Sequence, residues 1–230
     1  MEETKKQTFL LIPGAWMGAW EWDKLSKELK ELGHGVYSIT LSGLGESEQR
    51  EDVNLETHVN DVIAYIKNNE LQDIVLVGHS YSGAVVGQVT DRIPERIMRL
   101  IFIEAALPLN GKNMLESYGN DVAMEAKAIE DNNGLWPHPT ADELQHEEFL
   151  TTDQKEHLLE HFVEHPGKTV TEPAAIKHEE IAIPSLFIGA KPSDRANESV
   201  FTNIEYKKIE GGHWPMITKP KELAKLMVQY

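Results

Sequence analysis

Apolar and polar positions along this chain follow two alternating rhythms. Short unbroken apolar runs give way to longer stretches in which apolar residues recur every three or four positions. Residues 8–12 form a run that stops at Pro13-Gly14, the pattern of a buried strand. Residues 21–32 put Trp22, Leu25, Leu29 and Leu32 on one helical face, and Gly33 ends the stretch. Residues 36–41 read as the next strand, followed by the polar turn Ser42-Gly43-Leu44-Gly45. Residues 55–67 read as a helix that turns Val59, Val62, Ile63 and Ile66 inward. A buried strand at 73–77 runs into a helix at 82–92. Further strands are expected at 96–103, 184–188 and 204–209, and a closing helix at 221–228. Parallel neighbours need crossover connections, so this alternation implies an α/β chain: a mostly parallel sheet of about six strands flanked by helices on both faces.

The interval 108–183 breaks the rhythm. It is rich in Glu, His and Asn and holds no clear buried strand. It is expected to form a helical cap inserted before the penultimate strand, with 1–107 and 184–230 as the core. Open α/β sheets bind ligands at the carboxyl edge of their strands, so a cap there shapes a pocket.

Composition narrows the chemistry. The chain has 230 residues, a formal charge of −16 and no cysteine, which removes disulfides, thiolate catalysis and thiolate metal sites. Acidity on this scale disfavours nucleic acid and anionic membranes as partners, because both require basic patches. No apolar run approaches the roughly 20 residues that span a bilayer. Residues 1–7 lack the features of a secretory signal, and cytoplasmic residence is expected.

The informative stretch is Gly78-His79-Ser80-Tyr81-Ser82-Gly83. A buried strand runs into a serine flanked by small residues, and a helix starts at once, which is the context of a nucleophile elbow. The turn is so sharp that side chains two positions away would strike neighbouring backbone. Gly78 meets that constraint before the serine, and Ser82 with Gly83 after it. Ser80 is therefore the candidate nucleophile; Ser82 lies too far from the strand end, and the alternative role for Ser80 is a plain helix cap. A serine hydroxyl needs a neighbouring base. His213 follows the last expected strand in Gly211-Gly212-His213-Trp214, on a loop able to reach back to the elbow. The acid belongs on a strand-end loop between serine and histidine. Asp194, after the strand at 184–188, is preferred, and Glu104, at the end of the strand at 96–103, competes with it. The amides of Tyr81 and Ala15 are the expected oxyanion donors.

Further residues carry a family resemblance. Leu11-Ile12-Pro13-Gly14-Ala15-Trp16-Met17-Gly18-Ala19-Trp20 resembles the HGAWHGAW segment of α/β-hydrolases of the methylesterase, hydroxynitrile lyase and pyrethroid-hydrolase-like esterase group. Gly43-Leu44-Gly45-Glu46-Ser47 and Ala106-Leu107-Pro108-Leu109-Asn110-Gly111 are similar to that group's G-x-G-x-S turn and its entry to the cap. The resemblance spans nearly the whole chain and implies the α/β-hydrolase fold and ester cleavage through an acyl-enzyme, with no metal and no organic cofactor. Pro13 departs from the group's histidine, Ser82 from its usual glycine, and the spacing around Asp194 is looser. Similar lyases carry threonine in the oxyanion loop and lysine after the catalytic histidine. Gly14 and Trp214 stand there in this chain, which argues against lyase chemistry.

The reading is a serine esterase for small to medium uncharged esters, with Trp16 and Trp214 expected at the substrate pocket. A lactonase on the same triad is the alternative, and a ligand sensor with a hydrolase-like pocket is the rival from another class. His157, His161 and His165 recur every four residues, and His157-Leu158-Leu159-Glu160-His161 fits an H-x-x-E-H pattern. They are read as a solvated or pocket-rim face, and no metal site is assigned.

Overall fold

The apolar runs hydrogen-bond into one sheet in the computed structural model, which describes residues 6–45, 50–192 and 199–230. Four strands precede the irregular interval: β1 (Thr8–Ile12), β2 (Gly35–Ser38), β3 (Ile74–His79) and β4 (Ile97–Ile103). Within it lie β5 (Leu135–Trp136) and β6 (His165–Pro166), and after it come β7 (Ser185–Gly189) and β8 (Ile204–Lys208). The main sheet has six strands in the order β2-β1-β3-β4-β7-β8, and every pairing is parallel. The chain leaves β1 for β2 and returns to β3 on the other side of β1. The loops after β1 and β3 therefore diverge at a topological switch point, where open α/β sheets form their crevice.

Alternation along the strands feeds two cores. Phe9, Leu11, Val75, Val77, Ile101 and Ile103 pack on one face with Leu25 and Leu29 of α1 (Asp23–Glu31). Met216 of α9 (Pro215–Thr218) and Leu223 and Met227 of α10 (Pro220–Val228) complete that layer. Leu10, Ile12, Leu76, Leu100 and Phe102 face the other way. They meet Val59, Val62 and Ile66 of α2 (Leu55–Asn68) and Val85 and Val89 of α3 (Ser82–Arg92). Each such side chain, fully buried, contributes about 1.5–3 kcal/mol. A capping box between Asn54 and Thr57 starts α2.

Two local expectations change. The helix expected from residue 21 begins as a 3-10 turn (Ala19–Trp22) before α1, and Leu32 is 46% exposed rather than inward. The helix has already ended at Glu31, and Gly33 at φ +92° turns the chain away.

The interval between β4 and β7 folds as α4 (Met114–Tyr118), α5 (Val122–Asp131), α6 (Ala141–Gln145), α7 (Thr152–His161) and α8 (Lys168–Thr171). It also contains the antiparallel β5–β6 ladder, whose two-residue strands are too short to leave a period in the sequence. The expected three-histidine face is broken: α7 stops at His161, Phe162 is extended, and His165 lies in β6. Among the described residues no helix is long and apolar enough to cross a membrane.

Gly87 shows how tightly α3 meets the segment after β4. A Cβ there would lie 2.3 Å from Cγ of the Pro108 ring. Alanine in place of glycine gains up to about 1 kcal/mol of helix propensity. Overpacking against a rigid ring costs about 1–3 kcal/mol. Gly87→Ala is therefore expected to lower stability in urea unfolding, although the same exchange stabilises most helices.

Candidate active site

Ser80 sits between β3 and α3 with φ +49°, a left-handed backbone that a non-glycine residue adopts only where its surroundings enforce it. Its N–H donates to the Ile103 carbonyl at 3.1 Å. Its own carbonyl accepts from the Gly83 and Ala106 amides at 3.2 and 3.0 Å. A Cβ on Gly83 would lie 2.1 Å from the Ala106 carbonyl oxygen, and one on Gly78 would lie 2.8 Å from that of Ser82. The small residues around the serine are thus a steric requirement. Ser82 adds a bond that glycine lacks, since its buried hydroxyl donates to the Pro13 carbonyl. Pro13 and Ser82, two of the three departures from the pattern the sequence resembles, thus touch each other.

His213 reaches Ser80 from the opposite loop, with Nε2 3.0 Å from Oγ. When Nε2 accepts the serine proton, Nδ1 carries a hydrogen, and it faces the Tyr118 hydroxyl oxygen at 3.4 Å. Burial pushes the imidazole pKa down to about 3, and the neighbouring His79 adds to the effect. The ring is thus held in the neutral form that a general base requires. Although Tyr118 is 45% exposed overall, desolvation of its hydroxyl, with Glu104 contributing, raises the phenol to about 12, so its proton stays in place.

Of the two acid candidates, Asp194 lies outside the described residues. Glu104 ends β4 at φ +43° and accepts from the Ala190 amide at 2.5 Å, tying β4 to β7. Burial raises its pKa against the lowering effect of that amide. Among the described residues no carboxylate pairs with the His213 imidazole.

The loop after β1 presents a selected amide. The Gly14 N–H donates to Glu21 Oε2 at 2.8 Å, and the Trp16 N–H donates to His165 Nδ1 at 3.2 Å. Between them, the Ala15 amide meets no acceptor among the described residues, and neither does that of Tyr81. Donors left free beside the nucleophile are what an oxyanion requires.

Behind this loop lies a pair that the sequence reading missed. Glu21 and His79 are 2% and 1% exposed, and the Glu21 carboxylate contacts His79 Nδ1. His79 Nε2 donates to the His213 carbonyl at 2.8 Å. A carbonyl only accepts, so Nε2 must carry a hydrogen. One further proton is then shared between Nδ1 and Glu21, and the pair is neutral overall. It ties the oxyanion loop, the elbow and the backbone of His213 into one unit. The available signal was an acid between two tryptophans, Trp20-Glu21-Trp22, at the expected start of a helix. His165, expected on a solvated or pocket-rim face, is instead fully buried, and burial followed by its proximity to His58 drives its pKa well down.

A cavity of about 460 Å³ opens onto Ser80 and His213, walled by Trp16, Trp136, Tyr118 and Met114. The Trp16 and Trp136 rings lie 4.3 Å apart, and Trp16 Nε1 donates to the Trp136 carbonyl. Trp214, placed at the pocket by sequence, lies instead in the core. It is 5% exposed, its Nε1 donates to Met17 Sδ at 3.3 Å, and it is not among the cavity's described lining. It follows His213 directly, but its side chain turns inward.

Two predictions follow from these contacts. Glu21→Leu strands the Gly14 amide and His79 Nδ1 and is expected to cost about 2–4 kcal/mol in urea unfolding. Glu21→Gln can still accept from Gly14 and donate to Nδ1, and should stay within about 1 kcal/mol of wild type. The second prediction concerns acid. The folded-state pKa values of His165 and His213 lie below the ordinary 6.5, so the unfolded chain binds protons that the folded one refuses. Stability should therefore begin to fall as pH drops through the unfolded-state value of 6.5 and keep falling toward the folded-state value of about 3 for His213, and His165→Gln should show a shallower pH slope.

Comparison with known proteins adds descent to this geometry. Residues 9–226 match the model of a family described as the alpha/beta hydrolase family. A carbendazim hydrolyzing esterase of Nocardioides sp. (strain SG-4G) is 39% identical over 109 residues, 46% of this chain and 45% of that protein. Methylesterase 1 of Arabidopsis thaliana is 25% identical across 97% of this chain and 95% of its own length. The solved structure of an extracellular alpha/beta-hydrolase from a Paenibacillus species superposes with a TM-score of 0.83 at 26% identity, covering 97% of this chain and 98% of that one. A pyrethroid hydrolase from Sphingobium faniae JZ-2 shares the fold, with a TM-score of 0.73 at 18% identity over 98% and 97% of the two chains.

Proposed function

Because the chain belongs to the alpha/beta hydrolase family, whose matched members include esterases, we propose that it is a serine-dependent carboxylic ester hydrolase. The observation that carries this reading is the 3.0 Å contact between His213 Nε2 and Ser80 Oγ on a left-handed turn. Ser80 attacks the ester carbonyl as its proton passes to His213 Nε2. The amides of Ala15 and Tyr81 hold the oxyanion, a contribution of about 3–4 kcal/mol per donor in comparable sites. The intermediate collapses, His213 gives the proton to the departing alcohol oxygen, and an acyl-enzyme remains. Water, deprotonated by His213, then releases the acid and restores Ser80.

Asp194 is the proposed acid that orients His213. The engagement of Glu104 with the Ala190 amide supports leaving Glu104 a structural role. Substrates are proposed to be small to medium uncharged esters. The aromatic walls suit apolar groups, and Glu125 and Glu143 are the charged side chains, apart from histidine, among the described residues lining the cavity. A carboxylate-bearing ester would meet like charge there.

Hydrolysis of p-nitrophenyl acetate and butyrate tests this reading. Ser80→Ala should lose at least about 10³-fold in turnover, and a fluorophosphonate should label Ser80 in the wild type. Full activity in Ser80→Ala, or label on another residue, would overturn it. Asp194→Asn should cost about 10⁴-fold in kcat and Glu104→Gln less than about tenfold; the reverse order would assign the acid to Glu104.

A further inference from the structure

Outside the hydrolytic centre, α7 carries a cluster that esterase chemistry does not use. His157, Glu160 and His161 each present one donor atom, and these atoms all lie within 4.8 Å of one another. The residues stand at positions i, i+3 and i+4, so one helical face carries all three. His157 and Glu160 are exposed and His161 is half-buried, which leaves the cluster open to an ion from solvent. The two imidazole rings lie 4.1 Å apart. His161 Nδ1 donates to the His157 carbonyl at 2.8 Å, so Nε2 keeps its lone pair. Metal-ligating histidines are oriented in the same manner, with the second nitrogen held by a backbone carbonyl or carboxylate. Trp20 supports both rings from the core side, its centroid 5.5 Å from His157 and 5.3 Å from His161.

The geometry points to a divalent transition-metal site on α7, with a His157 ring nitrogen, His161 Nε2 and a Glu160 carboxylate oxygen as ligands. Two imidazoles and one carboxylate suit a borderline ion of the Zn²⁺, Ni²⁺ or Cu²⁺ class. Ca²⁺ and Mg²⁺ demand an oxygen-rich shell that these residues do not supply. Ligand atoms around tetrahedral Zn²⁺ stand about 3.3 Å apart, so donors within 4.8 Å of one another need to close by at most about 1.5 Å. Such a shift lies within the reach of exposed side chains. Three protein ligands leave a fourth position for water. From α1, Asp23 and Lys24 face His157 with opposite charges, so selectivity rests on the donor set rather than on the surrounding field.

The inference is independent of the esterase reading, because its test measures binding. Untagged full-length protein would be titrated with Zn²⁺ by calorimetry at about pH 7.5, where imidazoles are largely neutral. One saturable site per chain is expected. His157→Ala and His161→Ala should each weaken it at least tenfold, about 1.4 kcal/mol, and Glu160→Gln should weaken it less. Cu²⁺ should quench the share of tryptophan fluorescence that Trp20 contributes, and Trp20→Phe should remove that quench while the Zn²⁺ heat persists. The altered ligands are surface positions, and circular dichroism would verify that each variant is folded. Absence of a saturable Zn²⁺ site would overturn the inference. Affinity unchanged in the His157→Ala/His161→Ala double variant, or equal competition by Mg²⁺, would overturn it too, since both indicate general attraction to an acidic surface.

Discussion

The active end of this molecule depends on one steric constraint, the left-handed turn that lifts Ser80 out of the sheet. A serine in that conformation is held by its neighbours. The Ile103 carbonyl fixes its amide, and the Gly83 and Ala106 amides fix its carbonyl. The bond from Ala106 goes with an approach of α3 to the segment after β4 so close that it leaves no room for a Cβ on Gly83. The strain is local and the restraint is distributed, so that packing across β3, α3 and β4 keeps a hydroxyl at hydrogen-bond distance from His213.

Around that turn, polar groups are allocated by elimination. Four successive positions of the loop after β1 have separate roles. The Pro13 carbonyl accepts from Ser82, the Gly14 amide is bound by Glu21, and the Trp16 amide is bound by His165, while the Ala15 amide meets no acceptor among the described residues. Burying Glu21 is tolerable because His79 shares its proton, and His79 in turn needs the His213 carbonyl for its other nitrogen. His213 and the loop that carries the Ala15 amide are thereby positioned by one buried network instead of by separate contacts.

Most of the fold was legible because strand runs such as Phe9–Leu11 and Leu76–Val77 are apolar without interruption, and only a sheet buried on both faces asks for that. The approach of His213 to Ser80 was legible for a related reason, since each follows a strand end, Ser80 among small residues and His213 directly after Gly211-Gly212. What stayed hidden depends on contacts distant in sequence. Glu21 looks like an ordinary helix start until His79 is brought beside it. His165 looks like a further turn of α7 until Phe162 extends the chain and β5 captures it. Trp214 looks like a pocket wall until its indole is found against Met17. Periodicity reports which face is buried, but not which partner waits there. The resemblance to known esterases likewise carried the core better than the interval after residue 107, where helices are short and polar.

The strand order has a consequence for how such a molecule can diversify. β4 and β7 are direct neighbours, with Leu100 opposite Ser185 and Ile103 opposite Ile188, yet the whole stretch from α4 to α8 is looped out between them. Its two attachment points therefore stand side by side, and the entropy of closing such a loop grows only logarithmically with its length. Insertions and deletions in this stretch need not disturb strand register. In an evolving lineage, the walls of the cavity beside Ser80 can change in length while the sheet beneath them keeps its register. The bonds that cross the seam, such as His165 to the Trp16 amide and Trp16 to the Trp136 carbonyl, mark positions at which a changed interval would have to stay matched to the rest of the molecule.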